Sequence, residues 1–352
     1  MIIARKTIDQ VYDLPIDKVI SGYTELKKLG ANLKGLCPFH DEKTPSFVVS
    51  PAKGVYKCFG CGKGGNNAVS FVIEKESMQW IEAIKQLAQQ HNIIIEYDDS
   101  EQAQKEIAHL ERAHRFADVN VWAAALYHEN IKEAPAKSLR CTPEISDRFN
   151  LGYADKSWDY LINHAHNKGI STDILAELDL ARKNKNVYNT FRERVIFPIY
   201  NERNMLVGFS GRTTSTDAET AKYINTGETP LFTKGNELYG IHLAKTHIRK
   251  VGYAYIVEGN WDVVSLHQRG LENTVAPCGT ALTENQLKLI KKYTNHIVFI
   301  YDADNAGRKA LLKNTAIAIE QGFTVECVLL PDGEDPDTYF RNEQNFITSA
   351  KN

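Results

Sequence analysis

Three strand-and-helix units near the end of the chain decide the fold: YAYIVEG (253–259) followed by NWDVVSLHQRG (260–270), HIVFIYDAD (296–304) followed by AGRKALLKNTAIAIEQG (306–322), and TVECVLL (324–330). Each opening segment is a short apolar run rich in β-branched and aromatic residues, and the first two run into helical patterns. Strands alternating with helices of this length predict a parallel sheet covered by helices, an α/β class fold. In such a sheet the C-terminal strand ends share one edge, where ligands bind. Six acids collect there. Glu258 ends the first strand, with Asp262 one helical turn later. Asp302 and Asp304 end the second. Asp335 and Asp337 follow the third in DGEDPDTYF (332–340). A lone acid after a strand is usually a helix cap or a solvated loop charge. Three clusters after three strands repel one another unless cations lie among them, and Mg²⁺ takes such oxygen ligands while sharing them with substrate phosphates.

Basic residues precede this core: Arg192 and Arg194 in FRERVIFPIY (191–200), Arg212 in FSGR (209–212), Lys222 in AKYINT (221–226) and Lys234 in LFTKGNELYG (231–240). Any one of them is as readily a solvated charge. Together they suit template phosphates and nucleoside triphosphates. FRERVIFPIYNERNMLVGFSGR (191–212) also reads as a hairpin, two apolar strands joined by a polar turn at Asn201 to Asn204.

Further upstream lie two short pairs, Cys37-Pro38-Phe39-His40 and Cys58-Phe59-Gly60-Cys61. A two-residue gap lets both side chains of a turn point at one ion, so two such turns complete a tetrahedral Cys₃His site with no open position. That is the structural kind of zinc site. Gly60, Gly62 and Gly65 match a dinucleotide fingerprint by letter, but they overlap the metal turn and lack the preceding strand–helix context. Cys141, Cys278 and Cys327 stand apart and read as small buried hydrophobes. No G-x-x-x-x-G-K-[ST] phosphate-binding motif occurs in the sequence.

The 352 residues suit two or three compact units. A net charge of −2 excludes a uniformly basic nucleic-acid coat and leaves room for a basic face. No apolar run approaches the roughly 18 residues of a membrane helix, and residues 1–6 lack a signal-peptide core. The expectation is a cytoplasmic protein. A helix is expected after Ser77, whose side chain can cap its first turn, with Ile81, Ile84, Leu87 and Ala88 on its buried face, and another from about Ala103 to Asn130. The polar stretch from Asp98 onward marks a linker.

On these motifs the chain resembles bacterial DnaG-type DNA primases and phage primases of the same superfamily. LKGLCPFHDEKTPSFVV (33–49) with YKCFGCGKGGNNAVSFV (56–72) is similar to the family's CHC2 zinc ribbon. FRERVIFPI (191–199), GFSGR (208–212), KYINT (222–226) and LFTKGNELYG (231–240) are similar to its polymerase N-terminal subdomain. VEGNWDVV (257–264), APCGTALT (276–283), YDADNAGRKA (301–310) and PDGEDPDTYF (331–340) are similar to its Toprim segment, in family order.

The resemblance implies a zinc-ribbon template-binding domain at 1–97, a linker at 98–110, a mixed α/β polymerase subdomain at 111–250 and a Toprim catalytic subdomain at 251–352. It implies one structural Zn²⁺ on Cys37, His40, Cys58 and Cys61. It implies catalytic Mg²⁺ or Mn²⁺ on Glu258, Asp302 and Asp304, with Asp262, Asp335 and Asp337 completing the acidic centre. Arg192, Arg194, Arg212, Lys222 and Lys234 are the expected template and nucleotide contacts. The implied reaction is primer synthesis from ribonucleoside triphosphates on single-stranded DNA, by a monomer without a membrane partner, alongside a replicative helicase. Ala303 stands where the family has Gly, and Trp261 is an unusual apolar choice that should pack. The sequence ends soon after Asp337, whereas family members continue into a helical bundle and a helicase-binding domain. The expectation is therefore a short form, as a phage or mobile element encodes. The competing class is a zinc-and-Toprim DNA-binding accessory protein without polymerase activity.

Overall fold

The computed structural model describes residues 2–340 apart from 99, 218 and 280. Residues 341–352 of the expected Toprim subdomain, and Asp99 of the expected linker, lie outside the described residues. The chain divides into two compact units, Met1–Arg115 and Phe116–Asn352. The division falls inside helix Glu101–Glu129, so the segment expected as a linker is helical from Glu101 onward. Among the described residues no helix is long and apolar enough to cross a membrane.

The first unit is built on a five-stranded antiparallel sheet whose strands follow chain order: Lys27–Leu29, Asn32–Gly35, Phe47–Ser50, Val55–Cys58 and Gly64–Gly65. Gly30, with φ of 60°, supplies the left-handed backbone of the first hairpin turn. Side chains directly opposite on neighbouring strands share a face. Leu33, Val49 and Tyr56 are in register and face the core. There Phe39, Phe47, Tyr56 and Phe71 meet ring against ring at centroid distances of 5.2–6.3 Å. The helix expected after Ser77 is present and begins at Trp80, but Ser77 does not cap it. Ser77 instead ends helix Ala68–Glu76 in a left-handed conformation. Glu82 caps the new helix by accepting the Gln79 amide, and Trp80 and Ala83 join Ile84, Leu87 and Ala88 on the buried face.

The second unit holds two larger sheets. The first has the order Tyr223–Asn225, Leu206–Thr213, Arg194–Tyr200, Gly152–Ala154, all antiparallel. Its central pair is the expected hairpin. The Asn201 side-chain oxygen accepts the amides of Arg203 and Met205, and Asn204 takes φ of 63°, which closes the turn.

The other sheet has the order Leu238–Tyr239, Thr274–Pro277, Ala254–Ile256, His296–Ile300, Thr324–Val328. Only the first strand is antiparallel to its neighbour. The chain leaves Ala254–Ile256 to form strands on either side of it, so the order reverses there, and the crevice beyond that strand's C-terminal end is the place for a ligand. Trp261 packs as expected. It is 3% exposed and meets the Phe197 ring edge-on at 5.1 Å, joining the two sheets. Of the three scattered cysteines, Cys278 is buried, Cys141 half-buried and Cys327 exposed. Cys327 departs from the buried expectation because its strand is the outer edge of the sheet.

Candidate metal centres and basic surfaces

Cys37, His40, Cys58 and Cys61 converge, with ligand atoms all within 4.8 Å of one another. A tetrahedral ion with bonds of about 2.3 Å holds its ligands about 3.8 Å apart. The Cys37 and Cys61 sulfurs are 3.8 Å apart, as are the Cys58 sulfur and His40 Nδ1. The set therefore fits zinc, with the imidazole entering through Nδ1. Its Nε2 lies 3.4 Å from a Glu42 carboxylate oxygen. Glu42 also accepts the backbone amides of Cys37 and Ser46 and the Ser46 hydroxyl, which itself lies 3.2 Å from the Cys58 sulfur. Ser46's hydrogen bond holds the Glu42 carboxyl below its ordinary range. One carboxylate thus fixes the histidine's orientation and ties both metal turns together. The spacing of cysteines and histidine does not reveal Glu42.

The face of this sheet opposite the core carries Lys27, Lys34, Val48 and Lys57 in register across four strands. Like charges in adjacent strands destabilise each other unless an anion lies over them. Phe59 stands beside this row, 70% exposed, with the Lys57 ammonium 5.9 Å from its ring. An exposed aromatic beside cations suits a stacked base and its phosphates.

In the second unit, Glu258 and Asp302 follow the neighbouring parallel strands Ala254–Ile256 and His296–Ile300. The Asp302 amide donates to Glu258 Oε1 at 3.0 Å. Asp302 Oδ1 is buried and has no hydrogen-bond partner. Burial, then Asp302 and Asp304, push the Glu258 carboxyl up. Burial, then Asp335 and Asp304, push Asp302 up. Burial, then Asp302, Asp335 and Asp337, push Asp262 well up. These acids therefore share one field, and a cation among them relieves it.

Three of the acids also cap helices. Asp262 accepts the Gly259 amide at 3.0 Å, Asp304 the Gly307 amide at 2.7 Å and Asp335 the Thr338 amide at 2.7 Å. Among the described residues, the Cys/His cluster is the one group whose ligand atoms close together as an ion-binding set. The carboxylates share a rim more loosely. Their fit to a divalent ion rests on oxygen chemistry and on the orphaned Asp302 Oδ1.

The five expected basic contacts have different surroundings. Arg212 lies within electrostatic reach of Asp262 and Asp337, and Lys222 within reach of Asp302. Arg192 lies over Trp158, its Cζ 3.8 Å from the ring centroid, and Trp158 is 61% exposed. Arg194 departs from the expectation. It is 4% exposed, and its Nη1 donates to the carbonyls of Gly211 and Ala221, so it serves as a strut between strands. The backbone at Lys234 is fixed by Glu228, which accepts its amide, and by Gln286, which donates to its carbonyl. Arg140 was not singled out by sequence, yet it bonds Asp337 at 3.0 Å. It stands in SLRCTPE (138–144), far in sequence from any motif.

Comparison with known proteins matches three families in order along the chain: a CHC2 zinc finger at residues 3–103, the N-terminal domain of the DNA primase catalytic core at 127–245, and a Toprim-like domain at 255–340. The DNA primase of Clostridium acetobutylicum is 41% identical over 97% of this chain and 57% of its own length. The DNA primase of Aquifex aeolicus is 36% identical over 94% of this chain and 65% of its own length. This chain thus spans between about half and two thirds of these relatives. The crystal structure of the zinc-binding and RNA polymerase domains of the Aquifex aeolicus primase superposes with a TM-score of 0.75 at 34% identity, covering 98% of this chain and 84% of that one. A DnaG primase catalytic domain bound to single-stranded DNA superposes with a TM-score of 0.62 at 32% identity, over 69% of this chain and 78% of that one.

Proposed function

The chain belongs to the DnaG-type DNA primase family, and from that premise we propose that it joins ribonucleoside triphosphates into short RNA primers on single-stranded DNA. One observation carries this reading. Asp302 Oδ1 is buried and unpartnered beside Glu258 at the switch point of a parallel sheet, and Arg212 and Lys222 lie within electrostatic reach of the same acids.

Glu258, Asp302 and Asp304 are the residues we assign to hold Mg²⁺ or Mn²⁺, with Asp262 and Asp335 beside them. When bound, a divalent ion lowers the pKa of the attacking hydroxyl and neutralises charge on the leaving pyrophosphate. The chain's own residues supply alignment. The Asp302 amide fixes the Glu258 carboxylate, and the capping bonds fix Asp304 and Asp335. Arg212, Lys222 and Lys234 are assigned to triphosphate and template phosphates. Arg192, lying over Trp158, is assigned to an unstacked template base and its phosphate. The lysine row and Phe59 of the ribbon face are assigned to template. A replicative helicase is the partner this activity requires in a cell, because the template must first be unwound. We place the activity in the cytoplasm.

The test is primer synthesis from labelled ribonucleotides on single-stranded templates, with Mg²⁺ or Mn²⁺. Template-dependent, chelator-sensitive products are expected. Salt-sensitive DNA binding with no product on any template, even with a helicase present, would replace this reading by the accessory-protein one.

A further inference from the structure

We infer that Asp337 is a positioning residue that fixes Arg140 at the rim of the acidic centre, and is not one of its metal ligands. The inference rests on the reading of that centre given above. The Asp337 side chain is 2% exposed. One oxygen accepts from Arg140 Nη1 at 3.0 Å and the other from the Ser265 hydroxyl at 2.8 Å. Each oxygen already has a donor, so a metal ion at Asp337 would have to share an oxygen with a guanidinium or a buried hydroxyl. Asp302, with its orphaned Oδ1, is in the opposite condition.

Asp337 accordingly has a different chemistry from the other acids. A buried carboxylate held by a guanidinium and a hydroxyl is already neutralised and needs no cation. What the pair accomplishes is to fix the arginine. Arg140 lies between the turn Ala136–Ser138 and helix Pro143–Phe149, and its side chain is 31% exposed. With Lys137, Leu139 and Thr338 it lines a cavity of about 400 Å³. Arg212 is within electrostatic reach of Arg140. Arg140 and Arg212 thus border the acids, with Lys137 in the same cavity as Arg140, and Asp337 restrains the arginine that comes from a loop. An arginine held through its Nη1 keeps its remaining donors available to recognise a phosphate group. That phosphate belongs either to the template backbone or to the incoming triphosphate.

The test uses the zinc-loaded full chain and the variants Asp337→Asn, Arg140→Ala, Arg140→Lys and Ser265→Ala. Manganese binding is followed by the EPR signal of free Mn²⁺, template binding by fluorescence anisotropy, and nucleotide KM by primer synthesis. Asp337→Asn should bind Mn²⁺ within about twofold of wild type. It should weaken template binding, or raise nucleotide KM, by about tenfold, the size of one charge-assisted hydrogen bond. Arg140→Ala should produce the same defect, the double variant should be no worse than Arg140→Ala alone, and Arg140→Lys should recover part of it. The readout that moves tells template phosphate from triphosphate. Ser265→Ala keeps the ion pair and should give a smaller loss with unchanged Mn²⁺ binding, which covers the case in which Asp337→Asn misfolds. A tenfold or greater loss of Mn²⁺ affinity in Asp337→Asn, with Arg140→Ala normal, overturns the inference and makes Asp337 a ligand. Unchanged template and nucleotide binding in both variants overturns it as well. Mn²⁺ and template binding can be read even if the wild type makes no primers, so failure of the polymerase reading is distinguishable.

Discussion

The backbone N–H of Asp302 donates to Glu258 Oε1 at 3.0 Å, tying together the ends of two neighbouring parallel strands. The Glu258 carboxylate is not placed by its own rotamer alone. The strand register sets where the Asp302 amide lies, and the amide sets Glu258. Gly307 seals the arrangement from the following helix: a Cβ there would lie 2.3 Å from the Asp302 carbonyl oxygen and 2.8 Å from Glu258 Oε1.

Gly307→Ala should therefore damage the site from outside it. The backbone contact cannot yield as a flexible side chain can, so a stability loss of about 1–3 kcal/mol is expected. Misplacing the two acids by even part of an ångström should lower primer synthesis by about 100-fold. Denaturant melts and priming rates check both. Normal priming in the folded variant contradicts the described coupling.

Glu42→Gln should weaken zinc binding by about 10- to 100-fold, the usual cost of losing a carboxylate that orients a metal-bound histidine. The amide keeps the size of Glu42 and loses the charge that faces His40 and accepts from Ser46 and the Cys37 amide. Competition with a chromophoric chelator measures it. Zinc affinity equal to wild type would remove Glu42 from this role.

The sequence shows the parallel sheet, the hairpin and the Cys/His cluster because each rests on local spacing: period-two apolar runs, a turn at Asn201–Asn204, and two-residue gaps. It does not show Arg140 with Asp337, 197 residues apart, because only tertiary packing brings them together. It misplaces Arg194, since an arginine facing solvent and one bonded to the carbonyls of Gly211 and Ala221 look alike in a basic block. The Ser77 expectation fails for a related reason. A serine can start a helix, but here Glu82 accepts the Gln79 amide at the helix start and Ser77 ends the previous helix. The six acids were legible as a group, whereas the division between helix caps, the orphaned Asp302 oxygen and the committed Asp337 required the hydrogen bonds.

Gln286→Leu should loosen the loop that carries Lys234. Gln286 is 1% exposed, donates to the carbonyls of Lys234 and Glu237 at 3.0 and 2.8 Å, and accepts the Thr283 amide at 3.0 Å. Leucine leaves these buried groups unpaired, at a cost of about 1–3 kcal/mol each. Lower stability together with a raised nucleotide KM is expected, whereas Lys234→Ala should raise KM with little loss of stability. A Gln286→Leu protein with unchanged KM would separate the loop from nucleotide binding.

Acid should destabilise the second unit through His267. Burial holds this imidazole neutral, with its pKa brought down to about 3, and Nε2 lies 2.9 Å from the Thr274 carbonyl. An ordinary imidazole titrates near 6.5, so between those values the unfolded chain binds the extra proton and stability falls as pH falls. From pH 7.5 to pH 5 the loss from this one group should be about 2 kcal/mol. His267→Gln should show a shallower dependence in urea melts at the two pH values. An unchanged slope would assign the acid sensitivity elsewhere.

The most direct test of the polymerase reading is template-dependent primer synthesis by the wild type, Asp302→Ala and Glu258→Ala, with zinc content and single-stranded DNA binding measured on the same preparations. We expect Mg²⁺- or Mn²⁺-dependent primers from the wild type and none from either variant, with zinc and DNA binding nearly intact in all three. Near-normal primer synthesis by both variants would contradict the assignment of the acidic centre.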